Sequence, residues 1–156
     1  MTVHFSIAPL GALDLDRAAS LHAESFAALG ERAWSRQDIG GLLATPGACG
    51  LLLQIDGRDA GFALCRVAAD EAELLTIAVR PAHRRQGAGR RLLMTIIDQV
   101  RQAGARSLFL EVGVDNPAAR SLYEGQGFRA VGNRRAYYRR GEGPAADGIV
   151  MRLTLN

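Results

Sequence analysis

The segment Leu74-Leu75-Thr76-Ile77-Ala78-Val79-Arg80-Pro81-Ala82-His83-Arg84-Arg85-Gln86-Gly87-Ala88-Gly89-Arg90-Arg91-Leu92-Leu93 decides how this chain is read. Its first six residues form an apolar, strand-like run that Pro81 stops, and its last residues open an amphipathic helix. The two glycines therefore stand in a strand-to-helix loop. Glycine lets the backbone come close to a phosphate, and the first N–H groups of a helix have no partner inside it. The loop predicts a phosphate-bearing ligand, and what it lacks narrows the choice. A P-loop needs G-x-x-x-x-G-K-[ST], but all 19 basic residues of this chain are arginine. A dinucleotide fingerprint needs a third glycine where this chain has Leu92. Arg84, Gly87 and Gly89 instead make the pattern R-x-x-G-x-G.

Downstream, Leu92, Leu93, Ile96, Ile97 and Val100 fall on one helix face that ends near Gly104. Residues 107–112 read as a strand. Asn116-Pro117 starts a helix that runs to about Glu124 and stops before Gly125 and Gly127. Residues 128–135 and 148–155 complete the sheet as an antiparallel pair, with the Gly- and Pro-rich stretch 140–147 as the loop between them. Upstream, residues 50–55 and 60–67 flank Asp56-Gly57, a strong hairpin signal, and residues 73–79 continue the sheet. Ser35-Arg36-Gln37-Asp38 reads as a capping box opening a short helix toward Leu43, residues 14–26 as a longer helix and residues 3–8 as a strand. The order βααβββαβαββ predicts an α/β fold with a mixed, mostly antiparallel seven-stranded sheet and helices on both faces.

Length and composition agree with one domain: 156 residues, 48% hydrophobic, formal charge +3. No stretch resembles a membrane span or a signal peptide, so a soluble cytoplasmic protein with no membrane role is expected. Cys49 and Cys65 are far apart in sequence and form no C-x-x-C, and each reads as a small buried hydrophobe. His4, His22 and His83 share no ligand spacing, and no metal is assigned. Arginines cluster at 84, 85, 90 and 91 and again at 134, 135, 139 and 140, and the first cluster suits a polyphosphate.

Taken together, the chain resembles the GCN5-related N-acetyltransferases over nearly its whole length. Within that superfamily it is most similar to the bacterial group acting on the N-terminal alanine of ribosomal proteins. The likeness is carried by Trp34-Ser35, Asp70-Glu71-Ala72, Ile77-Ala78-Val79 leading into residues 84–90, Leu110-Glu111-Val112 with Asn116, and Leu122-Tyr123-Glu124. Gly127-Phe128, Arg134-Arg135, Tyr137-Tyr138 and the late Asp147-Gly148-Ile149-Val150-Met151 complete it, while residues 139–146 depart from the pattern. The resemblance implies a single acetyltransferase domain over residues 1–156 with acetyl-CoA as cosubstrate. By position, Ile77, Ala78 and Val79 would bind the pantetheine arm as a further strand. Arg84, Arg85, Gln86, Gly87, Ala88, Gly89 and Arg90 would hold the pyrophosphate, and Asn116 would lie near the pantetheine. Glu111 would be the general base and Tyr123, beside the cofactor, the general acid.

Acetyl transfer to an amine needs that amine neutral, a stabilised oxyanion and a proton for the departing thiolate. An α-amino group, pKa ~7.7–8.0, is roughly one-tenth neutral at pH 7, whereas a lysine amine at ~10.4 is almost wholly charged. An N-terminal amine thus asks less of a carboxylate base. Glu111 lies within an apolar run expected of a strand covered on both faces, where a lone carboxylate is costly; its other reading is a solvent-facing strand residue or an arginine partner. Tyr123 reads either as a proton donor or as an aromatic packed on the sheet. Trp34 either staples the helix start or walls an acceptor cleft. Tyr137 and Tyr138 are taken as a peptide wall, ahead of a solvated strand end or an RNA contact. Asp70, Glu71 and Glu73 are read as a solvated edge, with attraction of a basic peptide as the second possibility.

The expected function is acetylation of the N-terminal amine of a protein, the alanine of a small-subunit ribosomal protein, without a direct nucleic-acid role. A small-molecule amine as acceptor is the alternative within the same chemistry. An RNA- or ribosome-binding module with a vestigial CoA site is the alternative outside it.

Overall fold

A computed structural model describes residues 2–156. The strands are β1 (Phe5–Pro9), β2 (Ala48–Ile55), β3 (Arg58–Ala68), β4 (Glu71–Val79), β5 (Ser107–Gly113), β6 (Arg129–Arg140) and β7 (Gly143–Thr154). The helices are α1 (Leu15–Phe26), α2 (Arg36–Leu43), α3 (Ala88–Gln102) and α4 (Pro117–Gly125). All seven strands form one sheet in the order β1-β2-β3-β4-β5-β7-β6, antiparallel throughout except for the parallel pair β4–β5. The predicted element order and the mixed sheet are both present.

Local chemistry explains most boundaries. Asp56 and Gly57 both take left-handed backbone angles, φ 50° and 78°, which is what a two-residue hairpin between right-twisted strands requires. Ser35 accepts from the backbone N–H of Asp38 at 3.1 Å while the Asp38 carboxylate accepts from the Ser35 N–H at 2.9 Å, closing the capping box of α2. Asn116 caps α4 by accepting from the Ala119 N–H, and Pro117 takes the first helical position, where no N–H is needed.

Two cores flank the sheet. On one face, Leu92, Leu93, Ile96, Ile97 and Val100 of α3, with Tyr123 of α4, pack on β2–β5 and β7. On the other, Ala18 and Leu21 of α1 and Ile39 of α2 pack on Leu52, Phe62, Leu64 and Ala78. That second core holds no residue of β5, β6 or β7, which corrects one expectation. The run around Glu111 is covered on one face only: Leu108, Leu110 and Val112 are buried, while Ser107, Phe109 and Glu111 are half-exposed. The core beneath α1 and α2 does not extend to β5, so these helices leave its second face uncovered.

The stretch 140–147 is likewise not a loop. Only Gly141 and Glu142 turn, and β7 begins at Gly143. The β5–β7 ladder ends at Gly113↔Gly148, with one further bond from the Val114 N–H to the Asp147 carbonyl, so residues 143–146 lie beside β6 alone and Pro144 has a side on which its missing N–H costs nothing.

His22, on α1, is buried, stacks on Trp34 at 4.7 Å, and accepts at Nδ1 from the Trp34 backbone N–H. Burial, reinforced by the Arg32 charge and opposed by Asp38, lowers its pKa to about 4. The folded state therefore resists a proton that the unfolded chain takes up near pH 6.5, and stability is lost as pH falls from about 6.5 toward 4. Between pH 7 and pH 5 this removes about 2 kcal/mol. Urea midpoints at those two pH values should show that loss in the parent chain and a clearly smaller one in His22→Leu; equal losses would exclude His22 as the cause.

Candidate active site

The glycine loop forms where the sequence places it. Pro81–His83 is a 3-10 turn, Arg85 and Gly87 are left-handed at φ 63° and 83°, and α3 begins at Ala88. Among the described residues, the backbone N–H groups from Arg85 to Arg90 donate to no backbone carbonyl. They are the loop amides and the unpartnered first-turn donors of a helix, a set suited to an anion. Open space surrounds the position a Cβ would take at Gly87. A Cβ at Gly89 would lie 3.3 Å from Leu122 Cδ2 and 3.7 Å from Val79 Cγ2, so this glycine lets the loop close on α4 and β4.

Arg84 plays a different part from its neighbours. Its guanidinium donates to the carbonyls of Val79 at 3.3 Å and Ser25 at 2.6 Å, tying the loop to the C-terminal end of α1. Arg80 similarly donates to the Asp59 carbonyl and pairs with Glu24. Of the arginines expected at a phosphate, Arg84 is thus engaged in holding the loop, leaving the charge of Arg85 and Arg90 for the ligand.

Below the loop the sheet splits. The β4–β5 ladder consists of Glu71↔Ser107, Ala72↔Leu108 and Glu73↔Phe109 and goes no further. A bulge lies at the same level: Leu64 faces Thr76 and Cys65 faces Leu74, leaving Leu75 as the extra residue of β4. Bulges bend a strand and sharpen its twist. From Thr76 to Val79, β4 remains paired with β3 but not with β5, so a wedge opens between the parallel strands. The β4 edge in that wedge, with Ile77, Ala78 and Val79, offers main-chain groups to an extended ligand.

Glu111 stands on the open face of β5. Its Oε1 accepts from Arg134 Nη1 at 2.8 Å, and its Oε2 is buried without a hydrogen-bond partner among the described residues. The arginine-partner reading of Glu111 is therefore present, yet one carboxylate oxygen stays uncommitted. Arg134 lies over the Tyr137 ring at 3.9 Å, and which arginine would pair with Glu111 was not legible in the sequence because the two residues meet only across β7.

Tyr123 is 6% exposed and packs edge-on against Phe128. Burial, with a smaller contribution from Tyr138, pushes its phenol pKa well above the ordinary value and keeps the proton on the oxygen.

A third constellation was not legible in the sequence. The Arg140 guanidinium donates to both carboxylate oxygens of Asp115, at 2.7 and 2.9 Å, and pairs with Glu31 at 3.4 Å. It joins the tip of the β6–β7 hairpin to the β5–α4 loop and the α1–α2 loop. Gly30 lets the α1–α2 loop approach closely, since a Cβ there would lie 3.2 Å from the Gly141 nitrogen. Gly113 and Gly148, paired across β5 and β7, make room for the Tyr138 ring and, at Gly113, for Arg140. Residues 111 and 113 alternate onto one face of β5, which places Tyr138 and Arg140 on the Glu111 side. Burial, then the Glu111 charge, raises the Tyr138 pKa.

Tyr137 and Tyr138 thus join Glu111, whereas Trp34 does not: its ring is stacked on His22, and it lines a separate cavity of about 440 Å³ with Arg32, Gln37 and Asp38. An open cavity of about 260 Å³ lies along Phe109, Arg66, Glu71 and Glu73. It extends the open β5 face away from Glu111, because Phe109 and Glu111 share that face.

A strand edge bared in a wedge and an amide-rich loop at the wedge's head suit an extended, phosphate-bearing ligand. The chain belongs to the acetyltransferase (GNAT) family, whose model matches residues 15–128. It is 44% identical over 101 residues to the ribosomal protein bS18-alanine N-acetyltransferase of Escherichia coli strain K12, covering 65% of this chain and 68% of that one. The crystal structure of the ribosomal-protein alanine N-acetyltransferase from Escherichia coli superposes with a TM-score of 0.89 at 35% identity, covering 98% of this chain and 95% of that one. Arabidopsis thaliana NAA60, solved in complex with acetyl-CoA, shares the fold at 18% identity with a TM-score of 0.81, covering 98% of this chain and 99% of that one.

Proposed function

We propose that this chain transfers the acetyl group of acetyl-CoA to the N-terminal α-amine of a protein in the cytoplasm, the acceptor being the N-terminal alanine of a small-subunit ribosomal protein. Family membership supports the chemistry, and the name of the Escherichia coli relative supports the acceptor. The observation that carries the acceptor class is the open β5 face. From Glu111 past Phe109 to Glu71, Glu73 and Arg66 it is an open trough of mixed charge and not a closed pocket, which gives an extended peptide chain somewhere to lie. No described helix is long and apolar enough to cross a membrane.

The wedge and loop fit the donor: the free amides of residues 85–90 suit its pyrophosphate and the β4 edge its amide-bearing arm. When bound, acetyl-CoA supplies a thioester whose carbonyl the amine attacks. In this reading Glu111 Oε2 takes the proton of the acceptor ammonium, directly or through a water. A β4 backbone N–H polarises the carbonyl, and Tyr123 donates its proton to the leaving sulfur. Asn116 is engaged through its side-chain oxygen in capping α4, leaving its amide nitrogen for the donor's arm.

The test is mass spectrometry of a peptide that carries a free N-terminal alanine and an internal lysine, after incubation with acetyl-CoA and the purified protein. Acetylation confined to the alanine amine is expected. Modification of the lysine alone, or of neither amine despite acetyl-CoA binding, would overturn the reading. For Tyr123→Phe, kcat should fall about tenfold with the fold and acetyl-CoA affinity intact; an unchanged kcat would leave Tyr123 a packing residue.

A further inference from the structure

Cys49 and Cys65 take no part in the chemistry above, yet the fold brings them together. They are direct partners in the β2–β3 ladder, both are free thiols, and their Sγ atoms lie 2.7 Å apart. Directly opposed residues of antiparallel strands hold their Cβ atoms about 4.5–5.5 Å apart, close to the separation a disulfide spans.

The two thiols differ in access. Cys65 is fully buried in the core beneath α3, whereas Cys49 is only partly covered. The β1–β2 ladder ends at Pro9↔Leu51, so the strand beside Cys49 is absent on that side. Cys49 Sγ reaches toward the exposed Gln99, 3.6 Å from its Oε1. Either sulfur can donate in this contact, and the deeper burial of Cys65 disfavours its thiolate and leaves the charge to Cys49.

We propose that Cys49 and Cys65 form a reactive dithiol, a modification site for low-molecular-weight disulfides, in which Cys49 attacks and Cys65 resolves. The Cys49 thiolate attacks one sulfur of the small disulfide, whose S–S bond breaks; one small thiol leaves and a mixed disulfide stays on Cys49. Cys65 then gives up its proton and attacks Cys49 Sγ, releasing the second small thiol. Two protein thiols are oxidised and one small disulfide is reduced to two thiols. The crosslink joins β2 to β3 at the residue that faces Leu74, the position beside the bulge where the β4–β5 wedge starts. This site is independent of what the acceptor of the acetyl group is.

The experiment exposes the folded full-length protein to glutathione disulfide, blocks remaining thiols with iodoacetamide, and reads intact mass and tryptic peptides. The parent chain should lose two hydrogens, yield a peptide linking Cys49 to Cys65, and return to the dithiol with dithiothreitol. Closing a loop between residues 16 positions apart should also raise Tm by about 5–10 °C. Cys65→Ala should trap a glutathione adduct on Cys49, and Cys49→Ala should carry none. Two alkylated cysteines in the treated native chain, an adduct persisting on its Cys49, or a crosslink between molecules would each overturn the proposal. The mass of the native chain decides it even where a variant fails to fold.

Discussion

Glu111→Gln should lower kcat for acetylation of an N-terminal peptide about 10²-fold or more and leave the acetyl-CoA dissociation constant unchanged. The substitution keeps the shape of the side chain and removes the one oxygen that can take a proton: Oε1 is held by Arg134 at 2.8 Å, and Oε2 has no hydrogen-bond partner among the described residues. A positioned general base contributes about 10²–10⁴ in rate. Loss of the pair with Arg134 adds little, because Arg134 is 51% exposed and such pairs contribute at most ~1 kcal/mol. The pH dependence separates the base from a merely structural carboxylate. Without Glu111 the amine must arrive already neutral, so the residual rate should climb with pH through the α-amine range of about 7.7–8.0 more steeply than in the parent enzyme. Unchanged kinetics, or a loss confined to acetyl-CoA binding, would remove Glu111 from the role.

What could be read from the residues was what local chemistry decides. Asp56-Gly57, Ser35 with Asp38, the Asn116-Pro117 start and the apolar face from Leu92 to Val100 each specify their element within a few positions, and each is where the sequence placed it. The glycine loop was legible for the same reason: a strand end, a left-handed glycine and a helix start are all encoded within residues 74–93. The split of β4 from β5 was not, since a bulge at Leu75 is a matter of register between strands. Nor was the open face of β5, which depends on how far α1 and α2 extend over the sheet. Arg84 matched the phosphate pattern yet serves the loop through Val79 and Ser25, a partner on α1 that no local pattern could supply. Cys49 and Cys65 looked unrelated for the same reason: the hairpin register alone makes them neighbours.

Arg140→Met should lower kcat/KM for the acceptor peptide by roughly 30–100-fold, chiefly through KM, while acetyl-CoA affinity stays as it was. Among the described residues, Arg140 is the side chain that reaches Asp115 and Glu31 from the hairpin tip, and it is about 10% exposed. Removing it leaves two carboxylates facing each other without their cation. Burial already holds Glu31 above the ordinary glutamate pKa, so it is poorly placed to bear the loss. Breaking a buried pair in this way costs about 3–5 kcal/mol, and the partial exposure of Asp115 and Glu31 reduces that. A remainder of 2–3 kcal/mol corresponds to the stated factor. The cost falls on the contact between the α1–α2 loop and the hairpin, the two segments that bound the Glu111 side of the sheet. The wedge and the glycine loop lie on other elements and keep their geometry. Arg140→Met combined with Asp115→Asn and Glu31→Gln removes the repulsion without restoring the cation. If the network positions the acceptor through the hairpin, the triple variant should recover the melting temperature but not the acceptor KM. Recovery of both together would make the network a contributor to stability alone, and an equal loss of acetyl-CoA affinity in Arg140→Met would mean that the two halves of the site are not separable.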